Sequence, residues 1–367
     1  HKICCDANVH YSDEYTIGDF RYFIDYHGST YINNGVELHK PLAHISAYTG
    51  NAETVTMPSY IDGIEVSFLN FTFQDNETMI HATFPEELYY IPDGMCYGCT
   101  NLQSVSISFN DGIIPHAVFY ECESLTDVPL SSAIRHINSW AFGKCKSLTH
   151  VTIPGYQDWN NPGVTTIGDY AFYDCSSLET VSIPDSLKEI GYAPFGCCES
   201  LKTIKISTNH PILKKIDGVL FSKDGKRLIW YPADSTQSEY SIPHGVKKIE
   251  DGVFYSRNNL VSVVIPNSVT SIDDFAFKYC NNLKSISIPE SVTNIGKAAF
   301  EGCESLTEIK IPNSVTSIGE WAFNWCFNAE KIIIPNSIKS ISNYAFQDCD
   351  KVVSVTIPNR VTSIGEG

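Results

Sequence analysis

Four cysteines, Cys280, Cys303, Cys326 and Cys349, stand 23 residues apart. The same interval separates Cys99, Cys122 and Cys145, and again Cys175 and Cys198. A fixed period of ~20–50 residues marks a chain that stacks one supersecondary unit on the next, and it governs how every other residue is read. From Cys280 the unit runs Leu283, Ile286, Ile288, Pro289, Ser291, Val292, Ile295, Gly296, Ala299, Phe300 and then Cys303. Leu306, Ile309, Ile311, Pro312, Ser314, Val315, Ile318, Gly319, Ala322 and Phe323 repeat it before Cys326. Phe119, Phe142, Phe172, Phe195, Phe254, Phe277 and Phe346 fill the Phe slot elsewhere, and Arg257 stands in a Cys slot. Ten units follow from Asn76, with a truncated one from Cys349.

The Leu-x-x-Val-x-Ile part alternates with period two, which predicts a short strand with one buried face. The next Pro lacks an N–H and ends the pairing. The Val-x-x-Ile-Gly part makes the following side of a coil, with Gly permitting the corner, and Ala-Phe fills the interior. One unit cannot bury its apolar face alone, so stacked units share a core. Identical side chains then form ladders at ~4.8 Å. In such a ladder Cys side chains run parallel, whereas a disulfide wants converging Cβ atoms at ~3.8 Å. The nine slot cysteines are therefore expected to be buried free thiols. Cys96-Tyr97-Gly98-Cys99 has C-x-x-C spacing, but Cys96 falls in the Phe slot and no second pair accompanies it, so a zinc or redox role is not expected. Cys4, Cys5 and Cys197 lie outside the pattern.

Two interruptions and a start stand out. About seven residues, Gly155 to Asn161, are inserted after Pro154. Ile206 and Ile242 stand 36 residues apart, 13 more than one period, and Asp224-Gly225 between β-rich runs predicts a hairpin there. Residues 1–75 do not repeat and are read as an N-terminal β-rich cap, although Met57-Pro58 mimics the repeat's Ile-Pro. The expected organisation is thus a cap at 1–75 and an array at 76–367, interrupted at about 207–241. The last repeat stops at Ile364-Gly365 before its Ala-Phe slot, so the array is expected to continue past residue 367 or to pack on another chain.

Charge narrows the function. Asp plus Glu number 42 against 25 Lys plus Arg, a net −17. That balance argues against binding nucleic acid, which takes a basic face, and against a polybasic grip on lipid. No apolar run reaches the ~18 residues of a membrane span. The N-terminus shows no signal-peptide core, so either the chain is cytosolic or its signal has been removed.

The recurring I-P-x-S-V-x-x-I-G-x-x-A-F-x-x-C-x-x-L unit resembles the BspA-like, or Treponema-type, leucine-rich repeat family. The stretch Ile216-Asp217-Gly218-Val219-Leu220-Phe221-Ser222-Lys223-Asp224-Gly225 is similar to an insert common in that family, as Tyr48-Thr49-Gly50, Met57-Pro58 and Ile61-Asp62-Gly63 are to its N-terminal segment. The resemblance implies a mainly-β leucine-rich-repeat solenoid, a right-handed superhelix of the α/β type. It also implies a secreted or cell-surface protein, its signal peptide removed, that serves as an adhesin or a non-catalytic module. No invariant functional residues carry over.

No H-E-x-x-H, G-x-S-x-G or Walker A sequence occurs, and no cofactor or metal is expected. Two surfaces remain as candidates. The outward strand lane is rich in Ser and Thr, with charges interspersed: Thr203/Lys205, Ser285/Ser287, Glu308/Lys310 and Lys331/Ile333. It reads simply as β-propensity on an exposed sheet, or functionally as a hydrogen-bonding surface. An aromatic column before Ala-Phe holds Trp140, Tyr170, Phe275, Trp321 and Tyr344, with Tyr279 and Trp325 nearby. It reads as packing between repeats, or as an aromatic strip for sugar rings or a protein anchor. The candidate ligand-binding set is Trp321, Trp325, Tyr344, Lys205, Ser285, Ser287, Glu308, Lys310 and Lys331, with the lysines drawing an acidic ligand. The expected partner is a protein or glycan at a cell surface. The alternatives are a carbohydrate-binding or scaffolding module of a secreted enzyme complex, and a hydrolase with an unrecognised site.

Overall fold

The computed structural model describes residues 14–367 except 27–30, 34–35, 39–40, 71, 87, 89, 110–111, 129 and 159–161. Cys4, Cys5 and part of the Gly155–Asn161 insertion lie outside the described residues. The chain divides into two compact units, His1–Phe172 with Val181–Gly191, and Tyr173–Thr180 with Tyr192–Gly367. No helix occurs among the described residues, so the α/β character expected of the superhelix is replaced by short strands and turns. A 23-residue coil with three sides leaves two or three residues per strand, too few on any side for a stable helix.

The first unit opens with a five-stranded sheet ordered Tyr15–Ile17, Phe20–Asp25, Leu42–Tyr48, Ile64–Leu69, Tyr60–Ile61. Phe20, Tyr22, Ile24, Ala43 and Ile45 bury one of its faces. His44 sits between the rings of Phe23 and Phe68, at 4.8 and 4.6 Å. The parallel ladder begins inside this N-terminal segment: Thr54–Thr56 pairs with His81–Thr83, which pairs with Ser104–Ser106. The Met57-Pro58 mimicry is therefore structural, because Met57 N–H continues the pairing by donating to Thr83 O at 2.9 Å. A second lane stacks Ile113–Ile114, His136–Ile137, Thr166–Ile167 and Glu189–Ile190.

In the second unit the same two lanes recur. Glu239–Ser241, Ser262–Val264 and Ser285–Ser287 pair in parallel, as do Glu308–Lys310, Lys331–Ile333 and Val355–Thr356. On the next side Lys248–Ile249, Ser271–Ile272, Asn294–Ile295 and Ser317–Ile318 form the companion ladder. Where Gly follows the lane's Ile, as at Gly296 and Gly319, it has a reason other than the turn freedom expected of it. A Cβ on Gly296 would lie 2.6 Å from Asp273 C, and one on Gly319 would lie 2.5 Å from Gly296 C, so successive coils touch backbone to backbone at this corner.

The third side is a turn segment carrying Ala-Phe and Cys. Here too the coils are hydrogen-bonded: Phe254, Phe277, Phe300 and Phe323 N–H groups donate to Ala276, Ala299, Ala322 and Ala345 carbonyls at 2.8–2.9 Å. The Phe rings stack as a ladder, Phe277–Phe300 at 5.2 Å and Phe300–Phe323 at 5.1 Å, nearly parallel. Seven of the slot thiols, those of Cys99, Cys122, Cys145, Cys280, Cys303, Cys326 and Cys349, donate to a carbonyl of the preceding coil, as Cys280 to Phe254 O (3.0 Å) and Cys303 to Phe277 O (3.2 Å). The slot cysteines are free and buried, except that Cys349 is half-buried.

The insert folds as three antiparallel strands, Leu213–Ile216, Val219–Ser222 and Arg227–Trp230. Asp217 (φ 50°) and Gly218 (φ 85°) make the first turn, a left-handed pair that suits a two-residue hairpin. The Asp224 carboxylate braces the second by accepting from Ser222 Oγ and Lys226 N–H. The hairpin does not simply grow outward, because its last strand joins the companion ladder beside Lys248–Ile249. The Arg227 guanidinium grips the buried Glu250 carboxylate with Nε–Oε1 2.6 Å and Nη2–Oε2 3.1 Å. Tyr231 takes the place of a ladder Phe, 5.1 Å from Phe254. Arg257, in its Cys slot, donates to Tyr231 O at 3.2 Å, the partner a slot thiol would use.

Candidate binding groove on the turn face

Each turn segment of the second unit carries two residues with left-handed backbone, one before Ala-Phe and one before Cys. Phe275, Ala298, Trp321 and Tyr344 form the first column (φ 57°, 50°, 55° and 58°). Tyr279, Gly302, Trp325 and Asp348 form the second (φ 60°, 71°, 59° and 53°). Bulky residues adopt this conformation at a cost of ~1–3 kcal/mol, tolerated where the surroundings over-determine it. Here the inter-coil hydrogen bonds of the turn segment hold it, and the result is that Ala, Phe and Cys face the core while the left-handed side chains face outward.

In a filled column the rings stack. Trp321 and Tyr344 lie 5.5 Å apart at 5°, and in the first unit Trp140 and Tyr170 lie 4.3 Å apart at 16°. Ala298 breaks the first column, and among the described residues no ring contact joins Phe275 to Trp321. Gly302 breaks the second, but Tyr279 reaches across it to stack on Trp325 at 6.4 Å, and a Cβ at Gly302 would lie 2.5 Å from the Tyr279 ring. One gap closes and the other stays open. The open one is a groove of about 470 Å³ lined by Phe275, Lys278, Ala298, Trp321, Trp325 and Asn324, with Lys297, Glu301 and Gln347.

Its polar lining is partly spent and partly not. Lys278 pairs with Glu301 at 2.8 Å, its ammonium also lying over the Phe275 and Tyr279 rings. Lys297 lies over the Trp321 ring at 5.0 Å. Among the described residues no carboxylate comes within 4.0 Å of its ammonium. Asn324 is 4% exposed, and its Oδ1 has no hydrogen-bond donor.

The sequence-predicted residues separate onto two sides of the coil. Trp321 and Trp325 wall the groove; Trp325 is 39% exposed and its Nε1 donates to Asp348 at 3.1 Å. Tyr344 backs Trp321 and donates to Glu366 at 3.0 Å without lining the groove. Lys205, Ser285, Ser287, Glu308, Lys310 and Lys331 sit exposed on the three-residue strands, and none lines the groove. Lys331 faces Glu308 at 3.5 Å, which cancels its charge locally. The lysines beside the aromatic wall are Lys278 and Lys297, neither of them in the sequence-predicted set. The signal that points to the groove is the alternation of large and small residues down each left-handed column.

Among the described residues the fully buried slot cysteines offer no accessible nucleophile. Burial pushes the Cys303 and Cys326 thiols well up, and Cys280 to about 12, where little thiolate forms near neutrality. No group of three metal-ligating side chains occurs among the described residues, and no helix among them is long and apolar enough to cross a membrane.

These features define a leucine-rich-repeat solenoid. The chain belongs to the BspA type leucine rich repeat family, whose profile matches residues 45–161, 159–226 and 247–367. It is similar to a leucine rich cell surface protein from Faecalibacterium prausnitzii, 28% identical, over 97% of this chain and 95% of that one, with a TM-score of 0.69. The pneumococcal vaccine antigen PcpA shares the fold at 19% identity, over 96% of this chain and 93% of that one, with a TM-score of 0.58. A leucine-rich repeat protein from Bacteroides ovatus does so at 24% identity, over 94% and 95%, with a TM-score of 0.50. No curated protein matches the chain.

Proposed function

We propose that this chain is a non-catalytic recognition module of a secreted or cell-surface protein, and that a host or environmental macromolecule docks on the turn face around the groove. Family membership and the cell-surface relative from Faecalibacterium prausnitzii support the surface setting. The observation that carries the docking site is the break at Ala298, which leaves an open groove between Phe275 and Trp321 with the Lys278 and Lys297 ammoniums over the two rings. Rigid aromatic anchors beside desolvated polar groups are where binding energy concentrates. The test combines a glycan array with a screen of host surface proteins, followed by the Trp321→Ala/Trp325→Ala double variant. Loss of ~10-fold or more in affinity in a still-folded variant is expected. Unchanged affinity removes the turn face as the contact surface, and turnover of a peptide or glycan by the purified protein overturns the non-catalytic reading.

A further inference from the structure

We infer that a second contact surface lies on the companion-ladder side of the second unit, where the hairpin joins it, and that it receives a sulfated glycan strand. It does not involve the groove, so the two readings stand or fall separately. Neighbouring coils cancel each other's charge at several places. In five ion pairs of the described residues a lysine faces a glutamate 23 residues away on the adjacent coil, as Lys202 faces Glu179 at 3.2 Å and Lys331 faces Glu308 at 3.5 Å. At the hairpin cation follows cation instead. Arg227 stands opposite Lys248 in the parallel register, and Lys247 N–H donates to Lys226 O at 2.9 Å. Like charges opposite each other across a ladder destabilise it. The hairpin brings carboxylates for its own cations only: Asp224 lies 3.6 Å from Lys226, and the buried Glu250 holds Arg227. Lys247 and Lys248 are exposed, and among the described residues no carboxylate comes within 4.0 Å of either ammonium. The Lys214 ammonium lies beside Gly225, where a Cβ would stand 3.0 Å from its Nζ. These five cations against two carboxylates leave a local +3 on a chain of −17.

The form of the patch selects the ligand. Lys247 and Lys248 head two columns that continue along the coils as Thr270 and Thr293, and as Ser271 and Asn294. The Thr270 and Thr293 hydroxyls donate to the Lys247 and Thr270 carbonyls, which leaves their lone pairs for the hydroxyls of a sugar. Neither column holds an aromatic or aliphatic residue here, so a protein partner finds no anchor. A duplex or a membrane presents a broad negative surface and meets the acidic whole of the chain, whereas a single thin strand feels only the charges within a Debye length of ~8–10 Å. The free cations are all lysines, point charges without the fork that takes a carboxylate bidentately, and the fork of Arg227 is spent on Glu250. Such ammoniums suit the outlying sulfate esters of a flexible glycan.

The test titrates a heparin octasaccharide calorimetrically into the whole chain. Three other probes run beside it: the N-acetylheparosan octasaccharide, which keeps the carboxylates and lacks sulfate, polyglutamate, and single-stranded oligothymidylate. Wild type is compared with Lys247→Thr/Lys248→Ser and with Lys284→Gln/Lys351→Gln. The first variant copies Thr270 and Ser271 of the next coil, so the fold has a precedent for it, and the second removes the same charge from exposed lysines elsewhere. Circular dichroism melting verifies folding. Wild type is expected to bind heparin at least ~10-fold tighter than each other probe, and to lose ~10-fold or more between ~50 and ~300 mM NaCl. Lys247→Thr/Lys248→Ser should weaken heparin binding ~10-fold or more, the worth of charge-assisted contacts, while Lys284→Gln/Lys351→Gln should leave it within ~2-fold. Heparin binding that survives in the first variant, or falls equally in both, overturns the inference. Equal binding of N-acetylheparosan removes the role of sulfate, equal binding of polyglutamate makes the patch a site for acidic protein, and equal binding of oligothymidylate makes it an unselective polyanion site; each overturns it. So does the absence of heparin binding to the wild type.

Discussion

Replacing Arg257 by cysteine, the residue of nearly every equivalent slot, should destabilise the protein. Elsewhere the turn ladder keeps a strict register: Ser256 N–H donates to Lys278 O at 2.8 Å, and Ser305 N–H to Asn281 O at 3.1 Å. Where the insert leaves the array, the ladder slips. Cys197 N–H bonds Gly252 O at 3.3 Å, so Tyr255 O, its acceptor by register, is vacated. Gly252 makes the slip feasible, since a Cβ there would lie 2.5 Å from Cys197 Sγ. Glu199 O likewise meets no backbone N–H among the described residues. The Arg257 guanidinium takes up both, with Nη1 at 2.8 Å from Tyr255 O and 3.1 Å from Glu199 O, while Nε reaches Tyr231 O and Nη2 reaches Cys198 O. Only the Cys198 carbonyl has another donor, Leu201 N–H at 3.2 Å. The side chain is 4% exposed, and burial lowers its pKa with no carboxylate beside it. Arg257→Ala therefore orphans the buried Tyr231 carbonyl at ~1–1.5 kcal/mol and leaves the part-buried Tyr255 and Glu199 carbonyls to water at less each, a net loss of about 2 kcal/mol. Arg257→Cys restores a donor for the Tyr231 carbonyl and leaves the two part-buried carbonyls to water, so about 1 kcal/mol is lost. Urea titration followed by tryptophan fluorescence and circular dichroism measures both. Arg257→Cys within ~0.5 kcal/mol of wild type, or more stable, would refute the capping argument.

Phe300, fully buried between Phe277 and Phe323, should cost ~3–5 kcal/mol when replaced by Ala, with loss of structure spreading to neighbouring coils; a loss below ~1 kcal/mol in denaturant titration would contradict its place in the ladder. His44, 2% exposed between two Phe rings, is held down to about 4 by burial, so the unfolded chain binds a proton that the folded chain refuses between about pH 6.5 and pH 4. Stability should fall by about 3 kcal/mol as pH drops through that window, and His44→Phe should flatten this part of the urea-measured profile; an unchanged slope in the variant rules the group out. Cys280, Cys303 and Cys326 should resist iodoacetamide at pH 8 until the protein unfolds, with half-buried Cys349 reacting first; mass spectrometry showing Cys303 alkylated in the folded state, or linked to another slot cysteine, would oppose the ladder register.

The 23-residue period carried the solenoid, the two strand lanes, the Phe ladder and the buried thiols, because stacking makes each repeat obey the same geometry. The groove was half legible. Trp321 and Trp325 announce themselves, but a groove is made by what is missing, and Ala298 and Gly302 look like ordinary repeat variation until the left-handed columns are seen. Lys278, Lys297 and Asn324 gain meaning only from that opening. The strand lysines Lys205, Lys310 and Lys331 drew attention as charges, yet the coil places them on a different side from the tryptophans. Arg257 was visible as a departure from the cysteine pattern, but the 13-residue excess says nothing of which carbonyls lose their partners when the ladder slips. Where the parallel ladder starts was hidden for a related reason: Thr54–Thr56 lies 27 residues before its partner strand, outside the regular period.

Hydrogen–deuterium exchange with and without the tightest binder from the glycan-array and host-protein screen tests the central claim most directly, because the two outward sides of each coil fall in different peptides. Bound ligand should slow exchange in the turn segments 275–279, 297–302 and 320–326 and leave the strands Ser285–Ser287, Glu308–Lys310 and Lys331–Ile333 unchanged. Protection confined to those strands, with the turn segments exchanging as in the free protein, would contradict it.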